Sequence, residues 1–321
     1  MKYRTLGKLN VSVVGLGTMS WPGCRYGVHG SSPSCEDIAS VQDMVRTALD
    51  DGINLIDTAE GYGRGLAEDL LGSALEDLGR RDEAVIVTKV GPLFDGEKAG
   101  GRECNLSASH MISRCDESLK RLRTDRIDLY LAHRPDPSTP IEETMQAAEE
   151  LQKQGKILEF GVSNFDHAAL AGALEYGPVA ANQLAYNLVE RWLEADVQPL
   201  CLKSGVGLMA YSPLGKGVLS GKYDETHLPA SDDYRYRNFH FSPENLPRNM
   251  VVARRLRELA AELATTPSRL ALAWVLARPG VSTVLPGAKS PAQIRDNAAA
   301  AELVLHQEIL DSLSAISPET K

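Results

Sequence analysis

Asp57, Tyr62, Lys89 and His133 are the residues of this chain whose types could do chemistry together. Each stands in or just after the end of an apolar run that reads as a strand: Ile53–Ile56 before Asp57, Val85–Thr88 before Lys89, Ile127–Ala132 before His133. Tyr62 lies in the glycine-rich loop Glu60–Gly65 that follows Asp57. If those strands are parallel neighbours in a barrel, the four side chains converge on one rim, where barrel enzymes keep their chemistry. A phenol, an amine, a carboxylate and an imidazole meeting there suit proton transfer to a carbonyl oxygen. Taken singly, each has a plainer reading: Asp57 a helix cap, Tyr62 a rim aromatic, Lys89 a solvated charge, His133 a polar-shell residue or metal ligand. No second histidine or cysteine stands at zinc spacing from His133, so no metal site is expected.

The elements that must position these residues alternate along the chain. Strands are expected near Val11–Leu16, Ile53–Ile56, Val85–Lys89, Ile127–Ala132, Leu158–Val162, Ala181–Leu184, Gly207–Ala210 and Val281–Leu285. Helices are expected over Glu36–Asp50, Leu66–Leu78, Ala108–Arg121, Ile141–Gln154, His167–Tyr176 and Ala195–Lys203, with a longer helical region from Met250 to Ala277. Pro291–Ala300 and Gln307–Ile316 follow the last strand. Strands alternating with helices specify an α/β protein with a parallel sheet, and brief connections favour one closed (β/α)8 TIM barrel spanning residues 1–321 as a single domain. Ser107 is a candidate helix cap, Gly155 a helix stop, and Glu142 and Glu143 complement the N-terminal dipole of the helix begun at Thr139-Pro140. Two stretches break the pattern: Pro22–Ser34, rich in glycine, serine and proline, and the long Leu214–Asn249. Both are expected as extended loops at the catalytic rim.

Composition narrows the function. Of 321 residues, 43% are hydrophobic and 24% charged, the range of a globular protein. A formal net charge of −9 with no basic stripe argues against nucleic acid and against an anionic membrane surface. Five widely spaced cysteines with no C-x-x-C pair read as free thiols; with a polar start and no eighteen-residue apolar run, neither a leader nor a membrane span is expected, and a cytoplasmic location is.

Nine ordered segments resemble the aldo-keto reductase family, over nearly the whole chain. Tyr3-Arg4-Thr5-Leu6-Gly7 and Gly15-Leu16-Gly17-Thr18-Met19 match its N-terminal pattern, Asp57-Thr58-Ala59-Glu60-Gly61-Tyr62-Gly63 its second strand, and Ile86-Val87-Thr88-Lys89 its lysine strand. Asp128 to His133 carries its histidine. Gly161-Val162-Ser163-Asn164-Phe165, Gln183 with Tyr186-Asn187, Tyr211-Ser212-Pro213-Leu214, and Pro286-Gly287-Ala288 through Gln293 and Asn297 match its later segments.

The resemblance implies that a nicotinamide supplies hydride to a carbonyl carbon and Tyr62 a proton to its oxygen. A free phenol, with a pKa of about 10, is a weak acid near neutrality, and a nearby ammonium lowers that value. Lys89 would do so, with Asp57 as its counter-ion, while His133 orients the carbonyl. Ser163, Asn164 and Gln183 would hold the carboxamide and Tyr211 would stack on the ring. Further cofactor contacts are expected from Gly17, Thr18, Met19, Asp57, Ser212, Pro213, Leu214, Gly217, Leu219, Lys222 and Gly287. Neither Gly15–Ser20 nor Ser212–Gly221 matches G-x-G-x-x-G, so a Rossmann site is not expected.

Lys289 ahead of the helix at Pro291 offers an anion site suited to a 2′-phosphate, so NADPH is favoured over NADH. Gln293 and Asn297, four apart on one helical face, are candidates for adenine. Some family members place Lys-Ser directly after the proline and an arginine at the Gln293 position; here Gly287-Ala288 intervene. The substrate pocket is expected to draw on Trp21, Tyr62, His133 and Arg134, with Met19, Leu93 or Phe94, and the 214–249 loop. The short stretch after Ala300 suggests an open pocket and bulky or varied substrates. The expected activity is NADPH-dependent reduction of an aldehyde, ketone or ketosugar. The alternatives are a sugar or alcohol dehydrogenase and a cofactor-binding subunit like those of potassium channels. A monomer acting on a small carbonyl compound is the family default.

Overall fold

A computed structural model describes residues 1–21, 24–25, 28–29, 38–94, 103–224, 226–231 and 233–316. The chain begins with an antiparallel hairpin, β1 (Tyr3–Leu6) and β2 (Leu9–Ser12), turning at Gly7 with φ +59°. Its apolar residues Leu6 and Val11 are buried with Leu55, Val87, Leu129, Leu131, Ala181 and Met209, the inward-turned residues of barrel strands. The Arg4 guanidinium donates to the carbonyls of Val281 and Leu276, so the hairpin is tied to the last barrel strand and the helix before it.

Eight parallel strands follow: β3 (Leu16–Gly17), β6 (Leu55–Asp57), β7 (Val85–Val90), β8 (Ile127–Ala132), β9 (Ile157–Ser163), β10 (Ala181–Ala185), β11 (Gly207–Tyr211) and β12 (Val281–Leu285). A short antiparallel ribbon, β4 (Cys24–Arg25) and β5 (Val28–His29), lies between the first two in sequence. Each barrel strand pairs with the next, and bridges between Val14 and Val284 and between Gly17 and Gly287 bring the two ends of the sheet together. Helices α1 (Ile38–Asp50), α2 (Leu66–Leu78), α3 (Ala108–Leu122), α4 (Ile141–Lys153), α5 (His167–Leu174) and α6 (Val197–Ser204) follow β5 to β10 along the chain, in strict alternation with the strands from β6 onward. Helices α7 (Leu246–Glu262) and α8 (Pro267–Leu276) join β11 to β12, and α9 (Pro291–Ala299) and α10 (Gln307–Ile316) come last. A second and larger apolar cluster fills the layer between strands and helices.

The first barrel strand differs from its expected span of Val11–Leu16. Antiparallel pairing with β1 captures Leu9–Ser12, and only Leu16–Gly17 remains for the sheet. Gly15 is required at the crossing: a Cβ there would come within 2.7 Å of Leu55 and 2.8 Å of Leu285. The expected helical region from Met250 to Ala277 holds two helices, the first beginning earlier, at Leu246. Ala264 at φ +50° ends the first, and the Thr266 hydroxyl accepts from the Arg269 amide, ahead of Pro267, to begin the second. Ser107 occupies the cap position of α3 without a side-chain capping bond; Glu143 Oε1 takes the Ala108 amide instead, at 2.8 Å. Gly155 does follow α4, in left-handed backbone at φ +71°. The long rim segment after β11 contains short 3-10 turns at Gly215–Ser220, Tyr234–Arg237 and Phe239–Phe241. The other expected rim loop, Pro22–Ser34, falls outside the described residues except for the ribbon. Among the described residues, no helix is long and apolar enough to cross a membrane.

Candidate active site

Parallel register explains why distant residues meet. Asp57 pairs with Val87, two residues before Lys89; Lys89 pairs with Leu131, two before His133. The backbone continues the ladder past the strand ends: His133 N–H donates to Val90 O at 2.8 Å, and Thr18 N–H to Asp57 O at 3.0 Å. The candidate catalytic residues thus emerge together at the C-terminal rim.

All four are buried: Lys89 is 0% exposed, His133 3%, Asp57 4% and Tyr62 8%. The Lys89 ammonium lies 2.8 Å from both Asp57 carboxylate oxygens, 2.7 Å from Thr58 O and 3.3 Å from Tyr62 Oη. An ammonium has three N–H donors, and these three residues take them. The His133 ring stands edge-on to Tyr62 with centroids 6.1 Å apart.

Burial holds the His133 imidazole well below its usual pKa, with the Lys89 and Arg134 charges acting in the same direction, so this side chain is neutral at neutral pH. Tyr62 differs from the expectation that Lys89 lowers its pKa. Burial pushes the phenol well above its ordinary value, and Asp57 and Tyr211 add to the rise. The physical reason is that the Lys89 charge is already matched by Asp57 at contact distance. Tyr62 therefore keeps its proton at neutral pH.

The expected carboxamide-holding residues are wired into this cluster. Gln183 Nε2 donates to Asp57 Oδ1 at 2.7 Å, so the same carboxylate receives both Lys89 and Gln183. Ser163 Oγ donates to Gln183 O at 2.9 Å. Asn164, in left-handed backbone at φ +60°, donates from Nδ2 to His133 O at 2.9 Å and accepts from Tyr211 Oη at 2.9 Å.

Gly17 N–H donates to Pro286 O, which sets the Gly17–Met19 and Gly287–Lys289 segments side by side across the closure of the barrel. Met19 packs against Ala59, Tyr62 and Ala67. Ser212 and Lys216 also have left-handed backbone, and Gly217 reaches φ +105°. Pro213 and Leu214 lead into that turn. Leu219 is fully buried, Lys222 is exposed, and Asn297 is 7% exposed. Lys289 is exposed, and Gln293 Oε1 accepts from its backbone amide at 2.8 Å. Of the expected pocket residues, Arg134 is half-buried beside His133, whereas Trp21 is 0% exposed and packs into the core.

Two observations fit a nicotinamide cofactor. Thr18 Oγ1 is buried with no hydrogen-bond partner among the described residues, and Gly287 has open space where a side chain would stand. Non-glycine residues in left-handed backbone, Asn164, Ser212 and Lys216, stand after β9 and β11.

Sequence reasoning missed the acidic residues behind the site. Glu60 and Glu68, 2% and 0% exposed, reach the end of the Lys89 strand. Their only signal was position: two glutamates following a strand that carries a candidate catalytic residue.

The Aldo/keto reductase family model matches residues 13–318. An aldo-keto reductase of Bacillus subtilis (strain 168) is 34% identical over 92% of this chain and 87% of its own length. A probable voltage-gated potassium channel subunit beta of Oryza sativa subsp. japonica is 32% identical over 98% and 96%. Among solved structures, a glycerol dehydrogenase from Gluconobacter oxydans superposes with a TM-score of 0.85 at 31% identity, over 98% of this chain and 94% of that one. An aldo/keto reductase from Klebsiella pneumoniae, in complex with NADP and acetate, superposes at 0.74 with 32% identity, over 99% and 95%.

Proposed function

The chain belongs to the aldo/keto reductase family of NAD(P)H-dependent oxidoreductases, and from that membership we propose that it reduces the carbonyl of an aldehyde, ketone or ketosugar with NADPH, Tyr62 giving the proton. The observation that carries this reading is the Lys89 ammonium, bonded to Asp57 at 2.8 Å and to Tyr62 Oη at 3.3 Å in a buried setting. A reduced nicotinamide would supply the hydride, held by Ser163, Asn164, Gln183 and Tyr211, with Thr18 and the Gly287–Lys289 segment alongside.

The residues of the chain do the rest. The neutral imidazole of His133 has one N–H, which suits it to donate to a carbonyl oxygen without adding charge. As negative charge develops on that oxygen it becomes a far stronger base than a phenolate, and the Tyr62 proton moves to it. The phenolate left behind faces Lys89, whose attraction is stronger in that state than for the neutral phenol; this difference is what lowers the barrier. Asp57 and Gln183 fix Lys89 so that no reorganisation accompanies the charge.

The NADP complex of the Klebsiella pneumoniae relative and the exposed Lys289 support the choice of NADPH. The similarity to a glycerol dehydrogenase supports a second reading, the same site working in the oxidative direction on a polyol. Purified protein assayed with NADPH and NADH against 4-nitrobenzaldehyde, and with NADP against glycerol, tests both. Turnover with the aldehyde that vanishes in Tyr62→Phe is the expected result. Turnover only with glycerol would favour the second reading, and full activity in Tyr62→Phe would overturn the assignment of the proton donor.

A further inference from the structure

Asp57, Glu60 and Glu68 all precede or begin α2, and they reach Lys89 and Thr88 of β7 and Gly91 just past its end. Asp57 bonds Lys89 itself. Glu68 Oε1 accepts from the Thr88 hydroxyl at 2.6 Å, while its Oε2 takes Arg121 Nε at 2.6 Å. Glu60 Oε1 accepts from the Gly91 amide at 3.1 Å. Lys89 is therefore flanked on both sides by residues gripped from the segment that also carries Tyr62. Gly91 is suited to its place: φ is +131°, and a Cβ there would lie 2.7 Å from Cys104 Sγ.

Glu60 stands apart from the other two carboxylates. Its Oε2 is buried with no hydrogen-bond partner among the described residues, and Arg114 Nε lies 3.7 Å from it as an ion-pair partner. Fully satisfied buried carboxylates are ordinary structural anchors; one left half-satisfied two residues from a candidate proton donor is not.

Resting on the reductase reading above, we propose that Glu60 is a positioning residue: its buried carboxylate, between the Gly91 amide and Arg114, ties the Tyr62 loop to the end of the Lys89 strand and so sets the separation of Tyr62 from Lys89. Glu60 acts through these two groups, its carboxylate meeting the Gly91 amide and Arg114. In its ionised form the carboxylate holds the Gly91 amide by a charge-assisted bond, roughly twice as strong as a neutral one. Protonation leaves the carboxyl in its buried place but weakens its grip on the Gly91 amide, so Tyr62 and Lys89 are held at their separation less firmly.

The groups facing Glu60 set where this happens. Arg114 and Arg121 from α3 favour the charged form; Glu68 from α2 opposes it; the Gly91 amide at the end of β7 favours it. Glu117 on α3 pairs with both arginines, and the Tyr130 phenol of β8 feels the Glu60 charge. Burial outweighs the rest and pushes the carboxyl up to about 7. Neither His133, held far below, nor Tyr62, held far above, titrates in that range.

The test is the pH profile of kcat and of KM for NADPH, with 4-nitrobenzaldehyde, in wild type, Glu60→Gln, Arg114→Met and Tyr62→Phe. Wild-type kcat is expected to fall as pH drops through about 7, with KM for NADPH unchanged. Glu60→Gln, isosteric and without a charge to lose, should be flat through that range. Arg114→Met removes a cation that favours the carboxylate, so its acid limb should move to higher pH, and this variant keeps the proposal testable if Glu60→Gln does not fold. An unchanged limb in Glu60→Gln, or in Arg114→Met, would overturn the proposal; a role confined to stability would lower the melting temperature and leave the limb in place. If Tyr62→Phe retains turnover, the reductase reading itself fails. If Tyr62→Phe is inactive and Glu60→Gln keeps the wild-type limb, the positioning role alone fails.

Discussion

The Nζ of Lys89 lies 2.8 Å from both carboxylate oxygens of Asp57, with the lysine side chain wholly inside the protein. Such a pair is costly to form and more costly to break, because removing one partner leaves the other charge buried alone. Lys89→Met should therefore destabilise the fold by about 3–5 kcal/mol as well as slow turnover, the first measured by urea unfolding. A change below about 1 kcal/mol would mean that the pair behaves as a solvated surface bridge.

Tyr62→Phe removes one oxygen and leaves the ring, so packing against Met19 and Ala59 is kept. Turnover should fall roughly 10²–10⁴-fold, the usual worth of a positioned acid, while NADPH binding by fluorescence titration stays near wild type.

His133 is expected to remain a neutral imidazole from about pH 6 to 9, because burial and the Lys89 and Arg134 charges all disfavour a second proton. NMR of isotope-labelled histidine would show this as a ring signal that does not shift. A titration near its ordinary value of 6.5 would place the ring in water instead.

Glu60 also carries a stability signature of defined sign. Its carboxyl is raised from 4.5 to about 7, chiefly by burial. An acid that binds its proton more tightly when folded stabilises the fold fully below its unfolded pKa and loses that contribution as pH rises through the folded one. At 1.36 kcal/mol per pKa unit, about 3 kcal/mol should disappear between about pH 4.5 and 7. Denaturant unfolding across that window should show the decline in wild type and a shallower one in Glu60→Gln. Parallel curves for the two proteins would rule the effect out.

Lys289→Ala should raise KM for NADPH by roughly tenfold, the worth of one exposed charge-assisted contact, and leave NADH unaffected. Equal effects on both cofactors would dismiss a 2′-phosphate contact at this lysine.

Much of the fold was legible because its signals are local. Leu66–Leu78, Gln307–Ile316 and Val281–Leu285 have the bounds their periodicity implies. The first strand was misplaced because Val11–Leu16 is one apolar run whose division depends on a partner: Leu9–Ser12 pairs with β1, whereas Gly15 donates to Val284, far along the chain. The helix break at Ala264 was obscured by a helical pattern continuing on both sides of it.

By itself the sequence determined that a carboxylate, a phenol, an amine and an imidazole stand at or just after the ends of three successive strands, because strand ends and side-chain types are written in short stretches of chain. Only the tertiary structure decided their protonation and their wiring. Burial sets His133 low and Tyr62 high, and Gln183 meets Asp57 across 126 positions. The cost of charging a group depends on the water it has lost and the dipoles facing it, and both are supplied by segments remote in sequence. Glu60 shows the difference most sharply: in the sequence it is one acidic loop residue among many, and in the folded barrel it is a buried carboxyl two residues from Tyr62.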